Sequence, residues 1–227
     1  MKDKSLENIK RKYMQKAVRV CLFLRLIPFL RMVGLNGSMV RGEFREDSDI
    51  DFLIISANNR IFFVRQFVMF FLTIFGFKRS DQNSAGQICP NRWATTNKLQ
   101  ITPKDDYHAW TFSSTIPIYA QAATYEKFIK ANGWMDNQGF PVKVQDILIP
   151  DSRLIILCKT WLESRLSGKL GNYFENIFKK SQLKRIKKKT EGDQNMWNIQ
   201  ISDDELCFHL KKEYVRHNLK PPIKTND

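Results

Sequence analysis

Two aspartates, Asp49 and Asp51, stand where a polar stretch gives way to the apolar run Phe52-Leu53-Ile54-Ile55. On a strand, residues two apart point to the same side. Carboxylates that close repel each other, so one holds a proton or a cation compensates the pair. A hard divalent cation such as Mg2+, or Mn2+, prefers oxygen ligands and is commonly bound by one or two carboxylates plus substrate phosphates. Two such cations could activate an attacking oxygen and stabilise a leaving pyrophosphate.

Upstream lies Gly37-Ser38, with ten residues between Ser38 and Asp49. A glycine there lets the chain turn tightly and lets a phosphate approach the backbone. The Ser38 hydroxyl can hold a terminal phosphate, and a short helix opening at Ser38 adds a favourable dipole. Arg41, one turn on, is within reach of phosphate oxygens. Asp-x-Asp alone is common, and Gly-Ser alone is a turn. The order is what discriminates: apolar strand, Gly-Ser, a short segment containing Arg41, Ser-Asp-Ile-Asp, apolar strand.

The elements that must position these residues are legible in part. Val18, Cys21, Leu22 and Leu26 recur at helical spacing and predict a helix from Met14 to Leu26, stopped by Pro28. Strands are expected over "LRMVGLNG" and from Asp49 to Ile55, the second covered on both faces. Arg60 to Arg79 is the most apolar segment. Its apolar part is shorter than the ~20 residues a membrane span needs, so a helix buried on a sheet is expected. The alternative is a peripheral membrane contact helped by Arg60, Lys78 and Arg79.

"GQICPNRWATTNKLQIT" reads as one or two short strands with a connecting turn, the strand candidates being "ICPNRW" and "KLQIT", with Pro90 at an edge or bulge. Asp105 to Gly133 reads as mainly helical with a break near Pro117, and "MDNQGFPVKVQDILIP" as a linker. Asp151 or Ser152 then caps a helix whose expected core face is Leu154, Leu157, Cys158, Trp161 and Leu162. A further helix carries Asn172 and Glu175 as a capping box and Phe174, Ile177, Phe178 and Ile186 as its stripe. A last helix is expected from Ser202, with Glu205 three residues on. The chain therefore reads as α+β: a small mixed sheet flanked by helices over 1–140, then a helical C-terminal region over 141–227.

With 43% hydrophobic residues in 227, the chain can build a core and is not a disordered sequence. Its net charge of +14 favours polyanionic partners. Lys179, Lys180, Lys184, Lys187 and Lys188 concentrate that charge in one segment, which suits RNA or another polyanion and equally suits a solvated helix end. The four cysteines are far apart and His108, His209 and His217 are scattered, so neither a disulfide framework nor a zinc site is expected. The polar N-terminus is no cleavable leader, and a cytoplasmic location is expected.

The Gly37-Ser38, Asp49 and Asp51 pattern resembles the DNA polymerase β-like nucleotidyltransferase superfamily. Bacterial nucleotidyltransferase-domain proteins, a group defined by sequence rather than by substrate, are similar over "DSDIDFLIIS", "NRIFFVRQFVMFFLTIFGFKR", "ICPNRW", "IPIYAQAATYEKFIKANGWM" and "SDDELCFH". The resemblance implies a magnesium- or manganese-dependent transfer of a nucleoside monophosphate from a nucleoside triphosphate to a hydroxyl on RNA, protein or a small molecule. Asp49 and Asp51 would bind metal, and Gly37, Ser38 and Arg41 the triphosphate.

Members of the superfamily carry a third carboxylate on a neighbouring strand. Here the strand candidates offer Asn91 and Gln100, both amides, which cannot act as bases. Asp105 and Asp106 fall at an expected helix start, and Glu43 is the remaining nearby acid. A third acid converging on Asp49 and Asp51 would favour the enzyme. An amide facing the pair with no acid in reach would favour a catalytically inactive module that binds nucleotide or nucleic acid.

Overall fold

The computed structural model describes residues 2–80, 82–121, 123–190 and 197–210. The elements run α1 (Lys2–Leu24), β1 (Leu30–Asn36), α2 (Ser38–Arg41), β2 (Ile50–Ser56), α3 (Ile61–Ile74), β3 (Ile88–Thr95), α4 (Asp106–Phe112), β4 (Ile116–Ala120), α5 (Thr124–Ala131), α6 (Trp134–Asn137), α7 (Arg153–Leu166), α8 (Lys169–Thr190), β5 (Trp197–Ile201) and β6 (Glu205–Leu210). The strands form one mixed sheet ordered β4-β1-β2-β3-β6-β5. Among the described strands only β2 and β3 pair in parallel, joined through the crossover helix α3. The α+β class holds, with a mixed sheet, flanking helices and a helical pair, α7 and α8, in the C-terminal part.

Both faces of the sheet are covered. On one, Leu30, Val33, Phe52, Ile54 and Trp93 pack with Cys21 and Leu24 of α1 and with Phe62, Val64 and Val68 of α3. On the other, Met32, Leu53 and Ile55 pack with Phe112, Tyr125, Phe128 and Met135. This is why the β2 sequence is apolar without alternation, and why α3 is a core helix.

Five local expectations differ from the structure. "KLQIT" forms no strand: β3 ends at Thr95, and Gln100 lies in the loop that follows. "IPIYA" is the edge strand β4, not part of a helical stretch: Pro117 has no N–H to give, and an outer strand tolerates that. The segment from Ser202 opens the β5–β6 hairpin rather than a helix. The Ser202 hydroxyl accepts from the Glu205 N–H at 2.9 Å, as a cap would, but here it closes a turn. Buried Glu205 pairs with fully buried Arg92 of β3, which also donates to Thr102 O at 2.9 Å. His217 and the rest of the expected last helix beyond 210 lie outside the described residues.

Asn172 and Glu175 do not form a capping box, because α8 already begins at Lys169. Glu175 instead accepts from the first N–H groups of α3, Phe62 at 2.9 Å and Phe63 at 2.7 Å, and so caps a neighbouring helix. Burial raises its carboxyl above the usual range, partly offset by those two hydrogen bonds.

The expected core face of α7 points outward. Leu154, Leu157, Cys158 and Trp161 are exposed, while Lys159 is buried. The inward side of α7 makes polar links instead. Lys159 Nζ donates to Leu30 O at 3.0 Å and to the Tyr119 hydroxyl at 2.9 Å, and Tyr119 donates to Asp151 at 2.9 Å. Glu163 takes both arms of Arg31 and the Phe29 N–H. Burial opposes ionisation of Glu163, but these donors outweigh it and hold its carboxyl below the usual range.

Candidate functional site

The site lies where β1 ends and β2 and β3 begin. Register fixes its members: Asp51 of β2 stands opposite Asn36 of β1 and opposite Cys89 of β3. Asn36 leads directly into Gly37, which adopts φ 74° and ψ −158° before the single turn of α2. That conformation is essentially restricted to glycine. A Cβ on Gly37 would lie 2.0 Å from Asp51 Oδ2, so the missing side chain is the space the carboxylate occupies.

Asp49 immediately precedes β2. Its Oδ2 accepts from Arg79 at 2.7 Å in an ion pair that is partly exposed. Arg79 follows α3, and its backbone N–H donates to Ile88 O at 3.0 Å, which anchors it at the start of β3. Its guanidinium also lies 3.8 Å from Cys89 Sγ. Burial, then the Asp51 and Asp49 carboxylates, push the Cys89 thiol well above its usual range, against a smaller pull from Arg79.

Asn91 completes the arrangement. The β2–β3 register slips between Phe52 opposite Pro90 and Leu53 opposite Arg92, leaving Asn91 as the extra residue of a bulge. Bulges re-aim side chains, and here Asn91 Nδ2 donates to Asp51 Oδ1 at 2.7 Å. Its Oδ1 is buried with no hydrogen-bond partner. Asn36 Nδ2, next to Asp51 across the strands, is likewise buried and unpaired, while its Oδ1 accepts from Thr115 at 2.6 Å.

The donor set can be tested against a metal. Ligand atoms of Asp49, Asp51 and Cys89 lie within 4.8 Å of one another. The donors for a hard cation are the two carboxylates, and a bound cation would itself favour ionisation of the Cys89 thiol beside them. Two carboxylates suit a divalent cation of the magnesium or manganese type.

The other predicted residues are placed as follows. Ser38 opens α2 beside Gly37. Arg41 closes it, with its guanidinium over the Trp110 ring at 4.0 Å, a hydrogen bond to Thr111 at 3.2 Å and an ion pair to Glu43 at 3.6 Å. Gln100 turns away and donates to Ala131 O. Asp105 caps α4 through the His108 N–H at 2.8 Å. Among the described residues, no third carboxylate joins Asp49 and Asp51 in a potential metal-binding group. Lys180, Lys184, Lys187 and Lys188 are exposed along α8, and Lys179 pairs with Asp203 at 2.5 Å.

Sequence reasoning missed Arg79, which reads as a charge flanking an apolar helix, and Asn36 and Cys89, which carry no local signal. Only the crossover and the strand register bring them to Asp49 and Asp51.

Residues 16–102, from α1 past β3, match the family model of the nucleotidyltransferase domain. No curated protein and no solved structure matches the chain.

Proposed function

Since residues 16–102 of this chain form a nucleotidyltransferase domain, we propose that it is a metal-dependent nucleotidyltransferase moving a nucleoside monophosphate from a nucleoside triphosphate to a hydroxyl acceptor. The observation that carries this reading is the seating of the Asp51 carboxylate in the space left by Gly37, with Asp49 and the unpaired Asn91 oxygen beside it. That is a costly local arrangement with no evident use in holding the fold.

In this reading Asp49 and Asp51 would hold Mg2+ or Mn2+, with Asn91 fixing the Asp51 carboxylate. The cation, when bound, supplies positive charge to the triphosphate and the departing pyrophosphate. Gly37 lets the phosphate chain approach the backbone, and the Ser38 hydroxyl donates to it. Arg79 exchanges Asp49 for phosphate oxygens as the triphosphate enters. Arg41, held over the Trp110 ring and bonded to Thr111, is assigned to the nucleotide from that position. The exposed lysines of α8 favour a polyanionic acceptor such as RNA.

A second reading has specific support. Asn91 stands where a base would act, and an amide cannot take a proton. The same site is then a nucleotide-binding module without turnover. Labelled-nucleotide transfer separates the two. All four ribonucleoside triphosphates are offered with Mg2+ or Mn2+ and an acceptor pool of total RNA and cell extract, with the Asp49→Asn/Asp51→Asn variant as control. Transfer lost in the variant is the expected result. Nucleotide binding that depends on both aspartates, without transfer, selects the binding module. Binding and transfer indifferent to both substitutions overturn the site.

A further inference from the structure

The C-terminal ends of α1 and α3 share one apolar surface that the described residues leave uncovered. Leu22, Phe23 and Leu26 are exposed at the end of α1; Phe70, Ile74 and Phe75 are exposed at the end of α3. Phe23, Phe70, Ile74 and Phe75 are each 58–60% exposed. The two groups touch: Phe23 stacks on Phe71 at 5.8 Å between centroids, and Phe71 meets Phe75 at 4.6 Å. Single exposed apolar residues are ordinary, but six at two adjoining helix ends form a patch of the kind that marks an interaction site.

Charge selects the occupant. Lys10 to Leu35 carries seven Lys and Arg residues and Arg60 to Ser80 carries four, with no carboxylate in either. Arg31 and Arg79 pair with Glu163 and Asp49 and Arg60 is buried, while Arg11, Lys12 and Arg19 on α1 and Lys78 after α3 are exposed. On α1 the exposed residues Lys12, Gln15 and Arg19 recur every three or four positions and continue into Leu22, Phe23 and Leu26. One helix face therefore runs from basic to apolar. A second copy docked symmetrically on this patch would set Arg19 and its neighbours against the same cations. A nucleic acid would leave the phenylalanines in water.

An anionic bilayer satisfies both halves. Interfacial segments bury their apolar side chains about 5–10 Å into the headgroup–acyl boundary. The rise from Leu22 to Leu26 is about 6 Å, and Arg19 sits about 4.5 Å behind Leu22, at the depth of the phosphates. None of the described helices is long and apolar enough to cross a membrane, so the contact is peripheral.

We propose that the ends of α1 and α3 dock this protein on an anionic lipid bilayer, with Phe23, Phe70, Ile74 and Phe75 in the acyl boundary and Arg19 on the lipid phosphates. The test is co-sedimentation of the full chain with vesicles of phosphatidylcholine, alone or with phosphatidylglycerol at about a third of the lipid. The protein partitions onto the anionic vesicles and not the neutral ones. Phe70→Ser/Phe75→Ser weakens partition by about tenfold or more, and Arg19→Glu by about threefold or more. All of these positions are exposed, and unchanged circular dichroism establishes that the variants fold. No partition at low salt overturns the proposal. So does partition that Arg19→Glu weakens but the phenylalanine variant does not, which is adsorption by charge alone. A dimer in light scattering that the phenylalanine variant dissolves assigns the patch to a second copy and also overturns it.

Discussion

Gly37→Ala tests the site at its tightest point. The backbone there, φ 74° and ψ −158°, costs a non-glycine residue about 1–3 kcal/mol of stability. The contact adds a local effect. The new Cβ would stand 2.0 Å from Asp51 Oδ2, 2.9 Å from its Cγ and 3.1 Å from its Cβ. Carbon and oxygen approach comfortably only to about 3.3 Å, so the carboxylate must move by roughly 1 Å, against the Asn91 hydrogen bond that fixes its other oxygen. A misplacement of about 1 Å at a reacting centre costs on the order of 100-fold in rate. The control is Gly42→Ala, at φ 85° with open space around its added Cβ. It carries a backbone cost of about 1–2 kcal/mol and no contact. Urea unfolding measures the stability of both variants, and a fluorescent nucleoside triphosphate titrated with and without Mg2+ measures the site. The expected result is comparable destabilisation in the two, with metal-dependent affinity reduced about tenfold or more only in Gly37→Ala. Equal nucleotide affinity in the two variants would refute the reasoning, because the Gly37–Asp51 approach would then have no part in binding.

Further outcomes follow from the same geometry. Asn91→Asp places a proton acceptor beside Asp51, and general-base catalysis is worth about 10²–10⁴-fold. Transfer, measured with labelled nucleotide, should rise by about 10²-fold or appear where the parent shows none, and a fall in both transfer and Mg2+ affinity would mean that the amide itself is required. Lys159 gives a pH dependence. Burial lowers its pKa from 10.5 to about 8, partly offset by Asp151 and Glu163. Between those values the unfolded chain binds a proton that the folded chain does not, so stability rises with pH from about 8. The full shift corresponds to roughly 3 kcal/mol. Other groups titrate in the same range: burial raises Cys21 and Cys89 above the usual thiol range, burial and Asp151 raise Tyr119, and burial lowers Lys16. The difference in urea midpoint between the parent and Lys159→Met cancels them and should therefore shift in the parent's favour from pH 8 to 10; a difference that stays constant would remove Lys159 as a cause.

The catalytic-looking half of the site is legible in the sequence because its parts are close along the chain. Gly37, Ser38, Asp49 and Asp51 stand at the adjoining ends of two antiparallel neighbours, β1 and β2, and the ten residues between Ser38 and Asp49 hold the rest of one helical turn and a loop. The other half depends on the parallel pairing of β2 with β3 through α3, and on a one-residue bulge. Nothing local announces that Asn91, rather than Cys89 or Arg92, reaches Asp51. The α7 stripe shows a different limit. Leu154, Leu157 and Trp161 recur at helical spacing, but periodicity reports an apolar face without saying which face the chain itself covers. Lys159 and Glu163 claimed the inward side because Leu30 O, Tyr119 and Arg31 offered them partners there. Glu175 and Ser202 show a third limit. Both are caps, as their residue types suggested, but Glu175 serves α3 across the core and Ser202 closes a hairpin.

The charges at the site bear on how many cations it takes. Counting both carboxylates as ionised, Asp49 and Asp51 contribute two negative charges, Arg79 returns one, and Cys89 and Asn91 contribute none while the thiol is neutral. One divalent cation leaves the cluster with a single positive charge, which attracts a triphosphate without binding it beyond release. A second would raise that to three and would meet Arg79 at 2.7 Å from Asp49, the carboxylate it would have to share. A third carboxylate at position 91 changes the sum by one charge and removes the donor that now fixes Asp51 Oδ1. On the proposed reading Asn91 therefore bears on cation number and proton transfer together, which is what Asn91→Asp tests.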